Sequence, residues 1–505
     1  MLRPPAQQVL AERLSAIQEE LVGAAQGWRP WEQDRTADRD VSARNLLQYL
    51  ALRRHDLRDL QDPLSRLGLS SLGRSEGHVQ ASVDAVLDAL GALIEHPPST
   101  DERSAPIGFS KSGQLLSARS SVLLGPARRG RPTRIMVTMP TEAAQNPRLV
   151  SEMLAAGMDC ARINCAHDAA PQWQAIAEHV RRADDRAGRR ARVLVDLPGP
   201  KLRTGPPAAP TGRDSKGDYL RLGLGDRLIL TRAGGLALDS HNGACPAQIG
   251  CSLSEVFAVT RRGHHIWLDD GKLGGVVESA DPDRIELRIT SAGVKGAKLR
   301  AGKGINLPDA ALEIDLLGPH SEEPLRFAAE QADLIGLSFV SSARDVKRVS
   351  DFLDQRGRME TGLILKIETK RAFEHLPGML LAVLGSDRPA GVMIARGDLA
   401  VECGYERLAE VQEEILWLCQ AAHVPVIWAT QVLDRLAKTG RPSRAEITDA
   451  AMGVQAECVM LNKGPSILEA ITVLDDILRR MERHHNKNRP LMPRLQAADY
   501  VPTER

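Results

Sequence analysis

The sequence predicts an α/β protein built on a (β/α)8 TIM barrel, with a small β domain inserted into the barrel and a helical module in front of it. Three observations predict this fold. From Arg134 onward, short apolar runs alternate with segments of helical periodicity, which is the pattern of a parallel barrel. About a hundred residues separate the third run from the fourth, far more than a crossover needs. The first stretch of the chain, to about residue 95, keeps helix spacing.

Size and composition limit the possible functions. A chain of 505 residues exceeds what one hydrophobic core serves, so two to four domains are expected. The 66 Lys and Arg residues nearly balance the 65 Asp and Glu residues, and aromatic residues make up 3%. This composition argues against nucleic acid or a membrane surface as partner. The seven cysteines lack paired C-x-x-C spacing, and we see no signal peptide or membrane span, so we expect a cytoplasmic protein with reduced thiols.

The first part of the chain is predicted to be a helical module over residues 1–104. Its apolar residues recur at helical intervals in two stretches. They are Leu10, Leu14, Ile17 and Leu21, then Val83, Val86, Leu87, Leu90 and Ile94. A Pro- and Ser-rich break follows at 97–104. The basic run at 128–134 is interpreted as a solvated approach to the first strand, with an anion-binding patch as the alternative.

Eight strand candidates and the helices between them define the barrel, which we assign to residues 105–205 and 305–485, followed by a tail at 486–505. The strand candidates are Arg134–Thr138, Cys160–Asn164, Arg192–Leu197, Asp333–Val340, Leu363–Glu368, Gly391–Asp398, Val424–Gln431 and Glu457–Lys463. The helix candidates are Thr141–Ala156, Gln172–Ala187, Ala343–Gln355, Tyr405–Ala422 and Ser466–Met481.

The insertion at 206–304 has the residue pattern of a β domain. Runs such as 226–231 and 283–289 mix charged and aliphatic residues, and the second alternates strictly. Turns rich in Gly, Asp and Pro separate the runs. We expect a lid hinged over the barrel mouth, which would exclude water from a reacting phosphate.

The fifth strand candidate carries the first functional signal. Because side chains alternate along a strand, Lys366 and Glu368 point to one face, about 7 Å apart. The sixth candidate ends in Gly397 and Asp398. Two carboxylates beside a lysine suit Mg²⁺ holding an anionic substrate. For either strand alone, a buried ion pair beside an ordinary turn is an equally good interpretation.

Several strands end in charged or polar residues. In a (β/α)8 barrel the reacting groups lie at the carboxyl ends of the strands, on one face. The polar residues there are Arg162, Asn164, Asp196, Ser338, Lys366, Glu368, Asp398 and Thr430, with Gly397 beside Asp398. Independent ion pairs would not converge on one mouth, so the joint pattern predicts an active site.

Eight short motifs, in order, resemble those of the pyruvate kinase family over a region from about Arg134 to Met481. The matching segments are 161–167 (ARINCAH), 196–205 (DLPGPKLRTG), 269–271 (DDG), 303–308 (KGINLP), 338–340 (SFV), 366–368 (KIE), 395–399 (ARGDL) and 429–431 (ATQ). The resemblance implies a glycolytic phosphotransferase that moves a phosphoryl group between phosphoenolpyruvate and ADP, giving pyruvate and ATP.

The resemblance also implies roles on the substrate side. Glu368 and Asp398 are expected to bind Mg²⁺ or Mn²⁺. Lys366 and Arg162 would neutralise charge on the phosphoryl group and the enolate. The main-chain N–H groups of Gly397 and Asp398, with the Thr430 hydroxyl, resemble a cradle for the substrate carboxylate. Ser338 is expected to contact substrate, and Lys366, Arg162 and Thr430 are the residues predicted to take part in catalysis.

On the nucleotide side, the resemblance assigns Arg203, His167, Lys303 and Asp270, with Asp270 delivered by the lid. For His167 and Lys303, an ordinary surface hydrogen bond is an equally good interpretation.

One departure from the family concerns its monovalent cation. The family has a serine at Ala166, a threonine at Leu197 and an acidic residue at Lys201, beside Asn164 and Asp196. Here a hydroxyl ligand is missing, and a lysine ammonium is a compact charge that can take the place of a potassium ion. We therefore predict that activity does not require K⁺.

Other departures leave alternatives open. The family's Ser-Gly-Glu segment after strand eight is replaced by 462–465 (NKGP), and the family's glycine before Pro140 is missing. The sequence also ends soon after the last barrel helix, so we expect the family's C-terminal domain to be absent. We expect a homo-oligomer, with the N-terminal module supplying contacts. The alternatives are a metal-dependent lyase acting on a 2-oxo acid, as a decarboxylase or aldolase, and a non-catalytic metabolite sensor.

Overall fold

The computed structural model describes most of the chain. The described residues are 4–26, 37–94, 107, 109–187, 190–199, 202–208, 211–214, 217–232, 246–310, 315–318, 321–482, 485–486 and 489–490. Within these ranges, no helix combines the length and apolarity needed to cross a membrane.

Four helices form the N-terminal module. They are α1 (Pro4–Gln26), α2 (Ala37–Leu52), α3 (Arg58–Arg66) and α4 (Val79–Leu93). Helix α1 packs against α2 and α4. Its residues Leu14 and Leu21 are buried with Leu46 and Leu90, so the apolar stripe read from the sequence is the core of this module.

The predicted (β/α)8 barrel is confirmed. Its eight parallel strands are β1 (Arg134–Thr138), β2 (Cys160–Asn164), β3 (Arg192–Asp196), β14 (Leu334–Leu337), β15 (Gly362–Ile367), β16 (Ala390–Ala395), β17 (Val426–Val432) and β18 (Cys458–Leu461). They close in chain order, with β18 paired to β1. All strand carboxyl ends therefore meet at one rim.

The remaining helices surround the barrel, except for α5 at its floor and α8 in the lid. They are α5 (Phe109–Leu124), α6 (Pro147–Ala156), α7 (Ala170–Ala187), α8 (Glu255–Val259), α9 (Glu322–Gln331), α10 (Ala343–Asp354), α11 (Lys370–Glu374), α12 (Leu376–Leu384), α13 (Arg396–Cys403), α14 (Leu408–Ala421), α15 (Asp434–Thr439), α16 (Arg444–Met452) and α17 (Ile467–Glu482). A short strand pair, β19 (His485–Asn486) and β20 (Arg489–Pro490), follows.

The sixth barrel strand is shorter than predicted. It ends at Ala395, and helix α13 begins at once with Arg396. Gly397 and Asp398 therefore lie in the first turn of a helix, so the predicted strand through Asp398 is wrong. A carboxylate is favoured in that turn because it faces the positive end of the helix dipole.

Helix α5 closes the floor of the barrel and was not predicted from the sequence. Its last residues, Leu123 and Leu124, are buried in an apolar cluster with inward residues of the barrel strands. A Cβ added to Gly362 or Gly391 would lie 2.7 or 2.6 Å from a methyl group of Leu123. The two strand glycines thus make room for this leucine.

Two arginines of the basic run before β1, Arg131 and Arg134, are buried, so the prediction of a solvated approach is wrong for them, whereas Arg129 is exposed. Arg131 is 1% exposed and lies 2.8 Å from Asp159 and 2.6 Å from Asp475. Arg134 donates to the carbonyl oxygen of Gly125. These partners, one of them 344 positions away, could not be read from local sequence.

The inserted lid is a β domain. Its strands are β4 (Thr204–Pro207), β5 (Gly212–Asp214), β6 (Gly217–Leu222), β7 (Arg227–Arg232), β8 (Ala247–Cys251), β9 (His265–Leu268), β10 (Leu273–Ala280), β11 (Arg284–Ala292), β12 (Ala297–Leu299) and β13 (Ile305–Asn306). A seven-stranded sheet in the order β13-β9-β10-β11-β7-β8-β4 and a three-stranded sheet, β12-β6-β5, share one apolar core. The chain enters the lid near Thr204 and leaves it near Lys303. These two segments lie side by side, since Thr204 N donates to Lys303 O at 2.8 Å.

The N-terminal module is built onto the barrel through polar contacts. Arg39 donates to the carbonyl oxygens of Val383 (3.1 Å) and Arg388 (3.0 Å), at the end of α12. Asn45 donates to Ala421 O at 2.8 Å, at the end of α14. His423, fully buried, faces Ser42 at 3.0 Å. The bonds from Arg39 and Asn45 satisfy carbonyl groups that helices leave open at their carboxyl ends.

Candidate active site

Lys366, at the end of β15, is the centre of a buried polar cluster at the barrel rim. Its ammonium donates to Ser338 Oγ at 2.6 Å. It also lies 2.9 Å from Glu368 Oε1 and 3.1 Å from Asp196 Oδ1. Burial alone would lower the pKa of Lys366, but the neighbouring carboxylates outweigh it and the pKa is raised. The lysine is therefore a fixed positive charge at neutral pH.

Asp196, at the end of β3, is the counterion shared by two cations. Its Oδ2 accepts from Arg162 Nε at 2.8 Å and from Nη2 at 2.5 Å, while Oδ1 faces Lys366. Arg162 is fixed further by donating to Thr138 Oγ1 at 2.9 Å. Burial works against ionisation of Asp196, but the two cations hold its pKa below the usual range. The resemblance assigned Asp196 only to the cation site, so this role is new.

Two glycines give the cluster its space. A Cβ on Gly336, in β14, would lie 2.8 Å from Asp196 Oδ1. A Cβ on Gly199 would lie 2.4 Å from the ring of Phe339 and 2.7 Å from Ser338. The segment 196–199 can therefore approach the end of β14 only with glycine at position 199.

Glu368 and Asp398 form an acidic pair. Phe339, whose φ is +57°, donates its N–H to Glu368 Oε2 at 2.9 Å. Such a backbone angle is uncommon for a non-glycine residue and marks a constrained site. Burial raises the pKa of Glu368; the Lys366 ammonium opposes this, and the charge of Asp398 adds to the increase. A neighbouring cation would relieve this repulsion.

The donor set fits a hard dication. Mg²⁺ uses one or two carboxylates and takes its other ligands from substrate and water. Glu368 and Asp398 supply such a pair beside the Lys366 charge. Among the residues that the structure describes, no group of three or more His, Cys, Asp and Glu side chains could hold a metal ion by itself. A site completed by substrate oxygens agrees with both observations.

An irregular turn within β17, at Thr430 and Gln431, meets the start of α13. Thr430 Oγ1 accepts the N–H of Gly397 at 2.9 Å, and Thr430 and Gln431 have φ values of +64° and +60°. Arg396 holds this turn by donating to the carbonyl oxygens of Ala429 (2.8 Å) and Thr430 (2.6 Å). Sequence reasoning assigned no role to Arg396, although it is the arginine of the ARGD motif.

The lid carries a second group of charges. Asp269, 6% exposed, lies 3.0 Å from Lys303 Nζ and 2.9 Å from Lys272 Nζ. Hydrogen bonds from the two lysines outweigh partial burial and lower the pKa of Asp269. Asp270 is exposed in the same turn, and Arg203 donates to Gly302 O at 2.9 Å. Three of the four predicted nucleotide-side residues thus share the base of the lid.

The remaining predicted residues lie on the barrel side. Asn164 Oδ1 accepts the N–H of Ala166 at 3.1 Å. His167 is exposed in the loop after β2, where its carbonyl oxygen accepts from Trp173 Nε1 at 2.9 Å. Lys201 lies outside the described residues. Asn462 and Lys463 are half-buried where β18 ends.

A buried glutamate joins the lid to the barrel, and sequence reasoning missed it. Glu402, in α13, accepts a hydrogen bond from Asn306 Nδ2 of β13 at 3.0 Å. It also accepts the backbone N–H of Lys370. Burial, despite these bonds, raises the pKa of Glu402 to about 7. The signal available in the sequence was the glutamate one helical turn after Asp398, on the same face.

Comparisons with known proteins agree with this geometry. The family model of the pyruvate kinase barrel domain matches residues 130–466. A pyruvate kinase of Thermococcus litoralis is 32% identical over 359 residues, which cover 70% of each chain. One of Mycobacterium tuberculosis is 31% identical over 356 residues, 69% of this chain and 70% of its own. One of Agrobacterium vitis is 30% identical over 366 residues, 71% of each. The closed barrel, its inserted lid and this similarity show that the chain belongs to the pyruvate kinase family.

Proposed function

We propose that this protein transfers a phosphoryl group from phosphoenolpyruvate to ADP, giving pyruvate and ATP. The observation that supports it most is the buried cluster in which Lys366 and Arg162 share the carboxylate of Asp196 beside Glu368. Two oriented cations at a barrel rim can stabilise an anion that changes its charge distribution during reaction, which is the main requirement of phosphoryl transfer.

The roles of the substrate-side residues follow from this arrangement. Lys366 and Arg162 neutralise the transferring phosphoryl group and the enolate left when the P–O bond of phosphoenolpyruvate breaks, and a proton from water then converts the enolate to pyruvate. Glu368 and Asp398 hold Mg²⁺ or Mn²⁺, which when bound supplies positive charge to the substrate oxygens. Thr430 accepts one hydrogen bond, so its own hydroxyl hydrogen is available to the substrate carboxylate. Ser338 accepts from Lys366 and donates to Leu197 O, so it orients the ammonium.

The lid supplies the nucleotide side in this proposal. Lys303, Arg203 and Asp270, with His167 from the barrel, are proposed to contact ADP, whose β-phosphate oxygen attacks phosphorus. Asp269 fixes Lys303 at 3.0 Å and so keeps this cation at the lid base. Closing the lid on the barrel would exclude water, which otherwise competes with ADP for the phosphoryl group.

The decisive experiment is a coupled assay of ADP-dependent pyruvate formation with phosphoenolpyruvate and Mg²⁺, on the wild type and on Lys366→Met. The wild type should be active, and the variant should lose about 3 kcal/mol or more of transition-state stabilisation, about a hundredfold or more in kcat/KM. Lys347→Met, which removes a half-exposed lysine on α10, is the control and should keep full activity. A wild type that binds phosphoenolpyruvate but forms no pyruvate would favour a metabolite sensor, and ADP-independent decarboxylation would favour the lyase.

We also propose that the activity is independent of K⁺. Asp196 already faces two cationic side chains, Leu197 is buried and offers no hydroxyl, and Ala166 has none. Rates in KCl, NaCl and tetramethylammonium chloride of equal ionic strength should agree. A strong, selective stimulation by K⁺ would contradict this proposal. A cytoplasmic location and assembly into a homo-oligomer stay predictions.

A further inference from the structure

Three segments meet at Glu402: strand β13 of the lid, the backbone at Lys370, and helix α13. We call this meeting point the joint. Its carboxylate accepts from Asn306 Nδ2, on the strand by which the chain leaves the lid. It also accepts the N–H of Lys370, two residues after Glu368. Its own helix, α13, carries Asp398 four residues earlier. The Glu402 side chain thus contacts both the lid and the segment that follows Glu368. It also shares a helix with Asp398, the other candidate metal ligand.

The joint is buried but not fully packed. Glu402 is 8% exposed and Asn306 is 4% exposed. A cavity of about 70 Å³ lies between lid and barrel, and both residues line it together with Phe339 and Thr369. The hydrogen bond between Asn306 and Glu402 therefore lies beside a space that side-chain packing does not fill.

A second contact places the lid turn on the same helix. Asp269, Asp270 and Gly271 have successive positive φ values of 52°, 54° and 81°. A Cβ on Gly271 would lie 3.4 Å from Val401, the neighbour of Glu402. The turn that presents Asp270 thus rests on the end of α13 opposite to Asp398. A helix is stiff over two turns, so a movement at one end reaches the other.

We propose that Glu402 is a positioning residue that couples the divalent-cation site of the barrel to the lid. Binding of a dication between Glu368 and Asp398 fixes the segment at Lys370 and the start of α13. Glu402, held by both, then fixes Asn306 and with it the lid base that carries Lys303. Its catalytic consequence rests on the proposed function, whereas the coupling itself concerns only metal and lid.

The test is amide hydrogen exchange of residues 302–307, measured with and without Mn²⁺ and in the absence of nucleotide. In the wild type, Mn²⁺ should slow exchange in this segment by about fivefold or more, the size of a typical coupling between sites. In Glu402→Ala this effect of Mn²⁺ should disappear, while Mn²⁺ binding measured by calorimetry persists. Glu402→Gln keeps one acceptor and should restore part of the effect.

Matched variants keep the proposal falsifiable if Glu402→Ala does not fold. Asn306→Ala removes the other half of the bond and should lose the same Mn²⁺ effect. Glu413→Gln, which neutralises a half-buried glutamate on α14, should behave as the wild type. Mn²⁺-dependent protection that persists in Glu402→Ala or Asn306→Ala, or its absence in the wild type, would overturn the proposal. Protection that needs Glu402 in a protein without ADP-dependent pyruvate formation would support the coupling and refute only the phosphotransferase function.

Discussion

Replacing Asp196 with the isosteric amide in Asp196→Asn should damage both folding and catalysis. The side chain is 1% exposed, so water cannot take its place beside Arg162 Nε, 2.8 Å away, and Lys366 Nζ, 3.1 Å away. Removing one member of a buried ion pair costs about 3 to 5 kcal/mol, because the other charge is left without a partner. We expect a loss of that size in the free energy of unfolding.

The assay is urea unfolding followed by tryptophan fluorescence, with Arg162→Met and the double variant completing a thermodynamic cycle. The double variant should be more stable than the two single losses predict, by about 1 to 3 kcal/mol, because no unpaired guanidinium remains. Asp159→Asn is the matched control, since Asp159 is a buried carboxylate that pairs with Arg128 and Arg131 at the barrel floor. It should lose stability but keep kcat.

Catalytic activity should distinguish Asp196→Asn from the control Asp159→Asn. Asp196→Asn should lower kcat by about a hundredfold or more, because it releases both cations from their catalytic orientation. A stability loss of less than about 1 kcal/mol, or losses of Asp196→Asn and Arg162→Met that simply add, would refute the shared-counterion reasoning.

Two further predictions concern the joint and the N-terminal module. Because the pKa of Glu402 is raised from 4.5 to about 7, the unfolded chain releases this proton first as pH rises. Its stabilising contribution is therefore complete below about pH 4.5 and is lost by pH 7, a change of about 3 kcal/mol. Measured without metal, the unfolding free energy of the wild type should fall by that amount relative to Glu402→Gln over this pH range. A difference between the two proteins that stays constant would contradict this prediction. Arg39→Met removes bonds to the end of α12 and should cost about 2 kcal/mol in urea unfolding. Lys111→Met, at a half-exposed pair with Asp38, should cost less than about 1 kcal/mol, and equal losses would count against the docking role of Arg39.

The barrel could be predicted from the sequence because its strands are short apolar runs. Strands β1 and β2 begin and end at the predicted residues, since each is buried on both faces and bounded by polar or turn residues. Strand β16 was predicted to be three residues too long, through Asp398. Apolar alternation gives no sign of the change in backbone angles at Arg396, where α13 begins. Helix α5 was missed because its partners are barrel residues far along the chain.

The candidate site was predictable where strand ends alone decide it. Lys366, Glu368 and Arg162 converge because all barrel strands end at one rim. The pairing of Asp196 with both cations depends on the side-by-side register of β2, β3, β14 and β15, which local sequence does not specify. The bond between Asn306 and Glu402 joins residues 96 positions apart, from two different domains. Only coordinates could reveal it.

The docking of the N-terminal module has a consequence for synthesis of the chain. Asn45 bonds to Ala421, which follows it by 376 positions. At a translation rate of about 5 to 20 residues per second, about 20 to 75 seconds pass before the ribosome has added that partner. During this time the face of α2 that later covers α12 and α14 has no surface to bind. The helices of the N-terminal module are thus made well before the surface on which they dock, and a face left uncovered in this interval is open to aggregation.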